Sequence, residues 1–166
     1  SSHGGGHPGG LLLDPGLAWE EGRASWFALS VMRESAYQDT IGLEGSGELR
    51  VNHQAERRGT GVRGQGSELG VLEVLWDLTD GTDDIADADD DGVALGPARL
   101  LRAMIAMREV PGSYPTISTF LEYLLEQQEV TVAQLARIYH IGGHPADLHS
   151  SSSVALWPRD LELGQW

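Results

Sequence analysis

The segment from Ser67 to Leu78 places the strongest constraint on how this chain can fold. It reads Ser-Glu-Leu-Gly-Val-Leu-Glu-Val-Leu-Trp-Asp-Leu, which puts apolar side chains on nearly every side of a helix. Such a helix is stable only when other elements surround it, so it is predicted to lie in the middle of a hydrophobic core. Glu73, Asp77 and Asp80 are spaced four and three apart and form one acidic stripe. We interpret this stripe as a solvent-facing edge of the helix.

A preceding helix and a strand are predicted from local signals. Pro15 suits the first turn of a helix, which is expected to run to about Glu34. Leu49 and Val51 alternate with polar residues, and this period of two predicts a short strand. The stretch 57–66 holds four glycines and three arginines, so it is expected to be a flexible loop or a segment that wraps another.

Two further helices follow. Pro97 begins a third helix that ends before Pro111, because proline is favourable in the first helical turn and a helix seldom continues through a later proline. A fourth helix is predicted from a one-sided apolar stripe, and the spacing of Thr119 and Glu122 fits a capping box at its start. The residues of the stripe are Ile117, Phe120, Leu121 and Leu124.

A fifth helix and the overall class complete the prediction. Thr131 and Gln134 form another capping box, and Gly142 with Gly143 ends the helix that it opens. The expected fold class is mainly α, a single helical domain of about five helices with a short β-strand or hairpin and long Gly/Asp-rich loops. Residues 1–149 are assigned to this domain, with a flexible segment at 1–10, and residues 150–166 to a polar C-terminal arm.

Length and charge restrict the class of function. A chain of 166 residues fits one domain that buries roughly 70% of its unfolded surface. The net charge of −14 argues against nucleic acid as a partner and favours cations.

No cysteine is present, which excludes disulfides and thiol chemistry. No apolar run predicts a membrane span or a signal peptide. Because the chain begins at Ser1 without a methionine, it is expected to be a processed product or a fragment.

The first helix carries an unusual carboxylate. Asp14 is placed to cap this helix through the amide hydrogens of the first turn. Glu21 shares one helix face with Leu17 and with small side chains one turn further on. Those small residues are Ala24, Ser25 and Ala28. A carboxylate on a face that another helix can approach closely needs a partner, since an unpaired buried carboxylate is costly.

The run Ala18-Trp19-Glu20-Glu21-Gly22-Arg23-Ala24-Ser25-Trp26-Phe27 resembles the second zinc-ligand helix of gluzincin-type metallopeptidases, most closely a group of secreted bacterial proteins related to them. In such enzymes a Glu-Gly-x-Ala-x-aromatic pattern supplies the third zinc ligand, which the resemblance places at Glu21. The resemblance covers about residues 3–125 and includes flanking pieces at 5–7, 12–15, 36–40, 67–70 and 75–80. The upstream His-Glu-x-x-His, which would supply two zinc ligands and the general base, is absent from this sequence.

Other interpretations of these residues remain open. Glu21 is also consistent with a partly buried glutamate paired to an arginine. Five histidines are candidate substitutes for the missing ligands, although we favour surface or loop positions for them because glycines and a proline interrupt the distal group. They are His3 and His7 before the first helix, and His140, His144 and His149 near the end of the fifth. A split site, with a separate chain that supplies His-Glu-x-x-His, is a further alternative.

An aspartate-rich stretch is a candidate calcium site. Asp87, Asp89 and Asp91 stand at alternate positions before Gly92, as in the first half of a calcium-binding loop. The twelfth position of an EF-hand loop would be Ala98, which cannot coordinate, so the stretch is not an EF-hand. Asp83, Asp84 or a backbone carbonyl such as that of Val93 could complete the shell. The alternative is a solvated acidic loop without a cation.

The expected function follows from the resemblance. The chain is interpreted as the C-terminal portion of a secreted bacterial zinc metallopeptidase domain, inactive alone and calcium-braced, whose intact parent would act on peptides. The alternative is a non-catalytic extracellular assembly subunit that binds another protein chain, either a second copy or a missing N-terminal fragment. Loss of the zinc helix is then expected to expose the small-residue face of the first helix and much of the helix at 67–78. A calcium-binding module without peptidase history is the third possibility.

Overall fold

The structure is a computed structural model that describes residues 12–41, 49–56, 63–80, 92–110, 114–146 and 148–149. The mainly α class is confirmed, because these residues form five helices and one antiparallel pair of strands. The elements are α1 (Pro15–Met32), β1 (Ala36–Ile41), β2 (Leu49–Gln54), α2 (Glu68–Asp77), α3 (Pro97–Arg108), α4 (Ile117–Glu126) and α5 (Val132–Gly142). The predicted flexible segment at 1–10 and the arm at 150–166 lie outside the described residues.

Helix α1 begins and ends at defined caps. The Asp14 carboxylate accepts hydrogen bonds from the backbone N–H groups of Gly16 and Leu17, at 2.9 and 3.3 Å. At the other end Arg33 adopts the left-handed conformation, with φ of 57°, and its N–H donates to the carbonyl oxygen of Leu29. The helix therefore ends at Met32, two residues before the predicted end.

Helix α2 lies in the core, as its sequence predicts. The Ser67 hydroxyl caps it by accepting from the N–H of Gly70 at 3.0 Å, and its residues 70–76 are all buried. Helix α1 packs against it at Gly22, where an added Cβ would lie 2.6 Å from the carbonyl oxygen of Glu68 and 2.7 Å from Cβ of Val71. Only glycine permits this approach, and the contact fixes the rotation of α1 about its own axis.

The two strands pair in antiparallel register. Tyr37 lies opposite His53, and Ala36 lies opposite Gln54. The predicted strand at Leu49 and Val51 is confirmed as part of β2. The fold class allowed for a hairpin, but the position of the partner strand β1 was not predicted, because Ala36–Ile41 lacks a clear alternation of apolar and polar residues.

The last three helices cover the remaining sides of the core. The capping box predicted at Thr119 and Glu122 is wrong. Thr116 is the capping residue of α4: its hydroxyl accepts from the N–H of Thr119, and the hydroxyl of Thr119 accepts from the N–H of Thr116. The box at Thr131 and Gln134 is confirmed, and α5 is capped after Gly142 by Gly143, which has φ of 68°. No helix among the described residues is long and apolar enough to cross a membrane.

Candidate functional site

A buried group of charged and titratable side chains lies against the middle of α2. The carboxylate of Glu73 is 4% exposed and forms an ion pair with the guanidinium of Arg63. Nε2 of His53 lies 2.9 Å from Oε1 of Glu73, and Nε2 of His144 lies 3.5 Å from Oε2. The side chain of His144 is 0% exposed. We call these four residues the α2 charge cluster.

Three separate segments bring partners to Glu73. Strand β2 supplies His53, and the turn that precedes α2 supplies Arg63. This turn is tied to the chain before α1, because the N–H of Leu13 donates to the carbonyl oxygen of Gly66 at 2.7 Å. The third partner, His144, comes from the segment that follows α5.

The end of α5 is built so that His144 turns back into the core. Gly143 adopts the left-handed conformation that favours glycine, and the N–H of His144 donates to the carbonyl oxygen of Tyr139 at 2.8 Å. An added Cβ on Gly142 would lie 2.5 Å from Cδ2 of the imidazole. A larger residue at 142 would therefore displace the ring from its place beside Glu73.

Burial and the charge of Arg63 hold both imidazoles of the cluster in the neutral form. Burial, and to a lesser extent the positive charge of Arg63, lower the pKa of His144 to about 3. The pKa of His53 is also lowered, mainly by burial and then by Arg63, although Glu68 acts in the opposite direction. Arg63 and Glu73 thus balance each other, and the two histidines add no charge at neutral pH.

The cluster as it stands is a charge-balanced polar site. Neither ring nitrogen of His144 has an aligned hydrogen bond to another described residue, and the same holds for Nε2 of His53. Because Arg63 already neutralises the carboxylate, no cation is required at Glu73. Among the residues that the structure describes, no three His, Asp or Glu side chains are arranged to hold a metal ion.

The structure corrects two interpretations of these residues. The acidic stripe on α2 is not a solvent-facing edge along its length: Glu73 is buried, whereas Asp77 and Asp80 at the end of the helix are half-buried. His144 is likewise not a surface histidine, since Gly143 reverses the chain and carries it inward. His140 is exposed as expected, and the half-buried ring of His149 stacks on Tyr139 with centroids 5.8 Å apart.

Sequence reasoning missed the cluster although one signal was present. Glu73 stands between Leu72 and Val74 in the middle of a helix that is apolar on nearly every side, so a carboxylate there is expected to be buried. The arginine-rich stretch directly before this helix offers the counter-charge that such a carboxylate needs. The long-range contributions of His53 and His144 leave no comparable local trace.

Glu21 lies beside the core-facing side of α1, about 100° around the helix from the buried Gly22. It is half-buried, and no hydrogen bond or ion pair joins it to another described residue. The neighbouring Glu20 differs, because it forms an ion pair with Arg23 and lies 3.9 Å from Arg108. The pairing of Glu21 with an arginine is thus not seen within the described ranges, and its role as a zinc ligand stays a prediction.

The outer face of α1 around Glu21 is apolar and exposed. Ala24 and Ala28 are exposed as expected, whereas Ser25 is buried against the core. The large apolar side chains of this face are Leu17, Phe27, Val31 and Met32, with exposed fractions of 44, 46, 66 and 59%. The expected exposure of the helix at 67–78 is wrong, because α1 and the other elements enclose α2.

The described residues do not complete a zinc site around Glu21. A catalytic zinc needs about three protein ligands, and Glu21 supplies one carboxylate. The remaining candidates, His3 and His7, lie outside the described residues, as do Asp87, Asp89 and Asp91 of the predicted calcium loop. These metal assignments therefore stay predictions.

Comparisons with protein-family models, curated proteins and solved structures give no match to this chain. The resemblance to gluzincin-type peptidases accordingly depends on the quoted residues alone.

Proposed function

We propose that this chain is the C-terminal portion of a gluzincin-like zinc metallopeptidase domain and that it is inactive by itself. The observation that carries the proposal is the outer face of α1, where a half-buried carboxylate stands among exposed apolar side chains. In the proposed domain this face packs against a helix that carries His-Glu-x-x-His, and Glu21 is the third ligand. Zinc, when bound there, supplies an activated water for attack on a peptide carbonyl.

The packing of Gly22 gives the Glu-Gly pair a physical role. Gly22 must face α2, since any side chain at this position would overlap the backbone of α2. One residue earlier in the helix, Glu21 is turned about 100° away and is directed along the outer face. The contact at Gly22 would therefore hold the carboxylate at a fixed height and angle for a ligand helix that docks on α1.

The composition of the outer face also supports a helical partner. Ala24 and Ala28 lie one and two turns beyond Glu21, and small side chains allow a second helix to approach closely. The larger apolar residues Phe27 and Val31 border them. Contiguous apolar surface of this kind marks sites that another segment covers.

The test compares the 166-residue chain with the native polypeptide isolated from the cells that produce it. We expect the chain to hydrolyse no peptide substrate with added zinc, and we expect the native material to contain a His-Glu-x-x-His segment by mass spectrometry and about one zinc per molecule. Glu21→Gln should lower the zinc content by more than about tenfold. Glu20→Gln is the matched control and should not lower it, because Glu20 is engaged with Arg23.

Two results would contradict the proposal. Turnover by the 166-residue chain alone would show that the missing helix is not needed. A native zinc content that is unchanged by Glu21→Gln would remove the assigned ligand.

The same exposed face favours a second candidate, a non-catalytic extracellular assembly subunit in which another copy of the chain covers α1. The predicted calcium loop at Asp87, Asp89 and Asp91 would then brace the subunit. Light scattering distinguishes the candidates, because a fixed oligomer of the purified chain supports assembly and a stable monomer opposes it.

Calorimetric titration with calcium after chelation tests whether the loop binds calcium. The absence of both heat and a rise in melting temperature would refute calcium binding.

A further inference from the structure

We propose that the α2 charge cluster is an acid-sensitive latch, which holds the turn before α2 and the segment after α5 against the core at neutral pH and releases both on acidification. The latch is independent of any zinc chemistry at Glu21. It concerns the described residues 63–66, 143–146 and 148–149, from which Arg63 and His144 reach Glu73, one from before α2 in the sequence and one from after α5.

The two latched segments contact each other as well as Glu73. Gly64 approaches Pro145 so closely that an added Cβ would lie 3.4 Å from its Cγ. Oγ of Ser118 on α4 lies 2.8 Å from Oε1 of Gln65 and donates to the carbonyl oxygen of Leu148 at 2.5 Å. The segments therefore form one unit, and release at Glu73 would loosen both.

The balance of charge at Glu73 makes this unit sensitive to acid. With neutral imidazoles the cluster holds one positive and one negative group, Arg63 and Glu73. A proton on His144 would add a second positive charge at a site that is closed to solvent and already holds a guanidinium. Protonation is therefore coupled to opening, in which the imidazole moves out to water.

Among the residues that the structure describes, the groups around His144 do not offset that added charge. From α2, Glu73 is already paired with Arg63, and Glu68 acts on His53 rather than on His144. From α5, Tyr139 stays neutral because burial raises its pKa. His149, in the latched segment itself, stacks on Tyr139 and supplies no negative charge.

The direction of the pH effect follows from the lowered pKa of the buried histidines. Their pKa in the closed form lies below the ordinary value of 6.5, at about 3 for His144. The closed form is therefore favoured in full above pH 6.5, and this advantage is lost progressively as the pH falls from 6.5 towards 3. Within this window the opening constant should rise about tenfold per pH unit for each imidazole that takes up a proton.

Hydrogen exchange of individual amides tests the latch in the folded chain. The reporters are the N–H groups of Ser67, His144 and Leu148, which donate to Gly64, Tyr139 and Pro145. Amides of α4 from Phe120 onward serve as the internal reference. After correction for the intrinsic effect of pH, the protection of the reporters should fall at least about tenfold from pH 6 to pH 5 relative to α4.

Two variants show whether His144 is responsible. In His144→Asn the rise of the opening constant should be smaller by a factor of about ten per pH unit than in the unmodified chain. His140→Asn, on the exposed side of α5, should leave this rise unchanged. Reporter protection that follows α4 at every pH would overturn the proposal. If His144→Asn does not fold, the measurement on the unmodified chain decides the question by itself.

Discussion

The α2 charge cluster and the outer face of α1 depart from ordinary burial in opposite directions. At Glu73 a carboxylate lies inside the core, and on α1 large apolar side chains such as Val31 lie in solvent. The buried carboxylate has its counter-charge, Arg63, within the same chain. No described segment covers the apolar face of α1.

Under the proposed function, the difference separates what this chain completes by itself from what a partner helix would complete. A buried ion pair whose two members belong to one chain is a feature of the folded unit. The exposed apolar face around the half-buried Glu21 is, in the proposed function, the surface on which a ligand helix packs. The following predictions test this division, from the largest expected effect to the smallest.

Arg63→Ala should have the largest effect on folding. It leaves the Glu73 carboxylate buried without its counter-charge, which typically destabilises a protein by about 3–5 kcal/mol. The control is Arg99→Ala, which breaks a partly exposed pair with Glu129 and should cost less than about 1 kcal/mol. Urea unfolding at pH 7 measures both, and equal small losses would show that the buried pair is not required.

Gly22→Ala should rank second. The added methyl group overlaps the carbonyl of Glu68 and the side chain of Val71, so the helices must separate, at a cost of about 1–3 kcal/mol. Ala24→Ser on the exposed face should change stability by less than about 0.5 kcal/mol. Thermal unfolding compares the two variants, and a neutral Gly22→Ala would refute the close approach of α1 to α2.

Acidification should rank third. Because His144 is buried in its neutral form, stability should fall by about 1–2 kcal/mol from pH 6.5 to pH 5 through this residue alone. Urea unfolding at the two pH values measures the loss for the whole chain. A stability that stays constant or rises over this interval would contradict a lowered pKa at His144.

Val31→Asn should have the smallest effect on the isolated chain. Its side chain is largely in solvent, so the free energy of unfolding should change by less than about 0.5 kcal/mol. In the native polypeptide the same change should weaken the packing on α1 and reduce zinc retention. Leu29→Asn, on the buried side of α1, is the matched contrast and should destabilise both forms. A large loss of stability from Val31→Asn in the isolated chain would place Val31 in the core.

The helices and their ends could be predicted from the sequence because they depend on neighbouring residues. Asp14 before Pro15, Ser67 before a continuous apolar run, and Thr131 three residues before Gln134 each fix a helix start by local hydrogen bonds. The capping box of α4 was misplaced by three residues, since two threonines, Thr116 and Thr119, both fit a capping role. Local rules cannot choose between them.

The α2 charge cluster could not be predicted because its parts are distant in sequence. His53 and His144 meet at Glu73 only after the sheet and α5 have packed on α2. The outer face of α1 was predicted in part: Leu17, Ala24 and Ala28 share it with Glu21, whereas Ser25 turns towards the core. A helix position alone does not say which neighbour will cover it.

The most direct test of the central claim is the rate at which Met32 is oxidised by peroxide. Met32 is 59% exposed on the outer face of α1, whereas Met104 and Met107 are buried and serve as internal references. We predict rapid oxidation of Met32 in the 166-residue chain and slow oxidation, close to that of the buried methionines, in the native polypeptide. Equally rapid oxidation of Met32 in both would show that nothing packs on this face and would contradict the account.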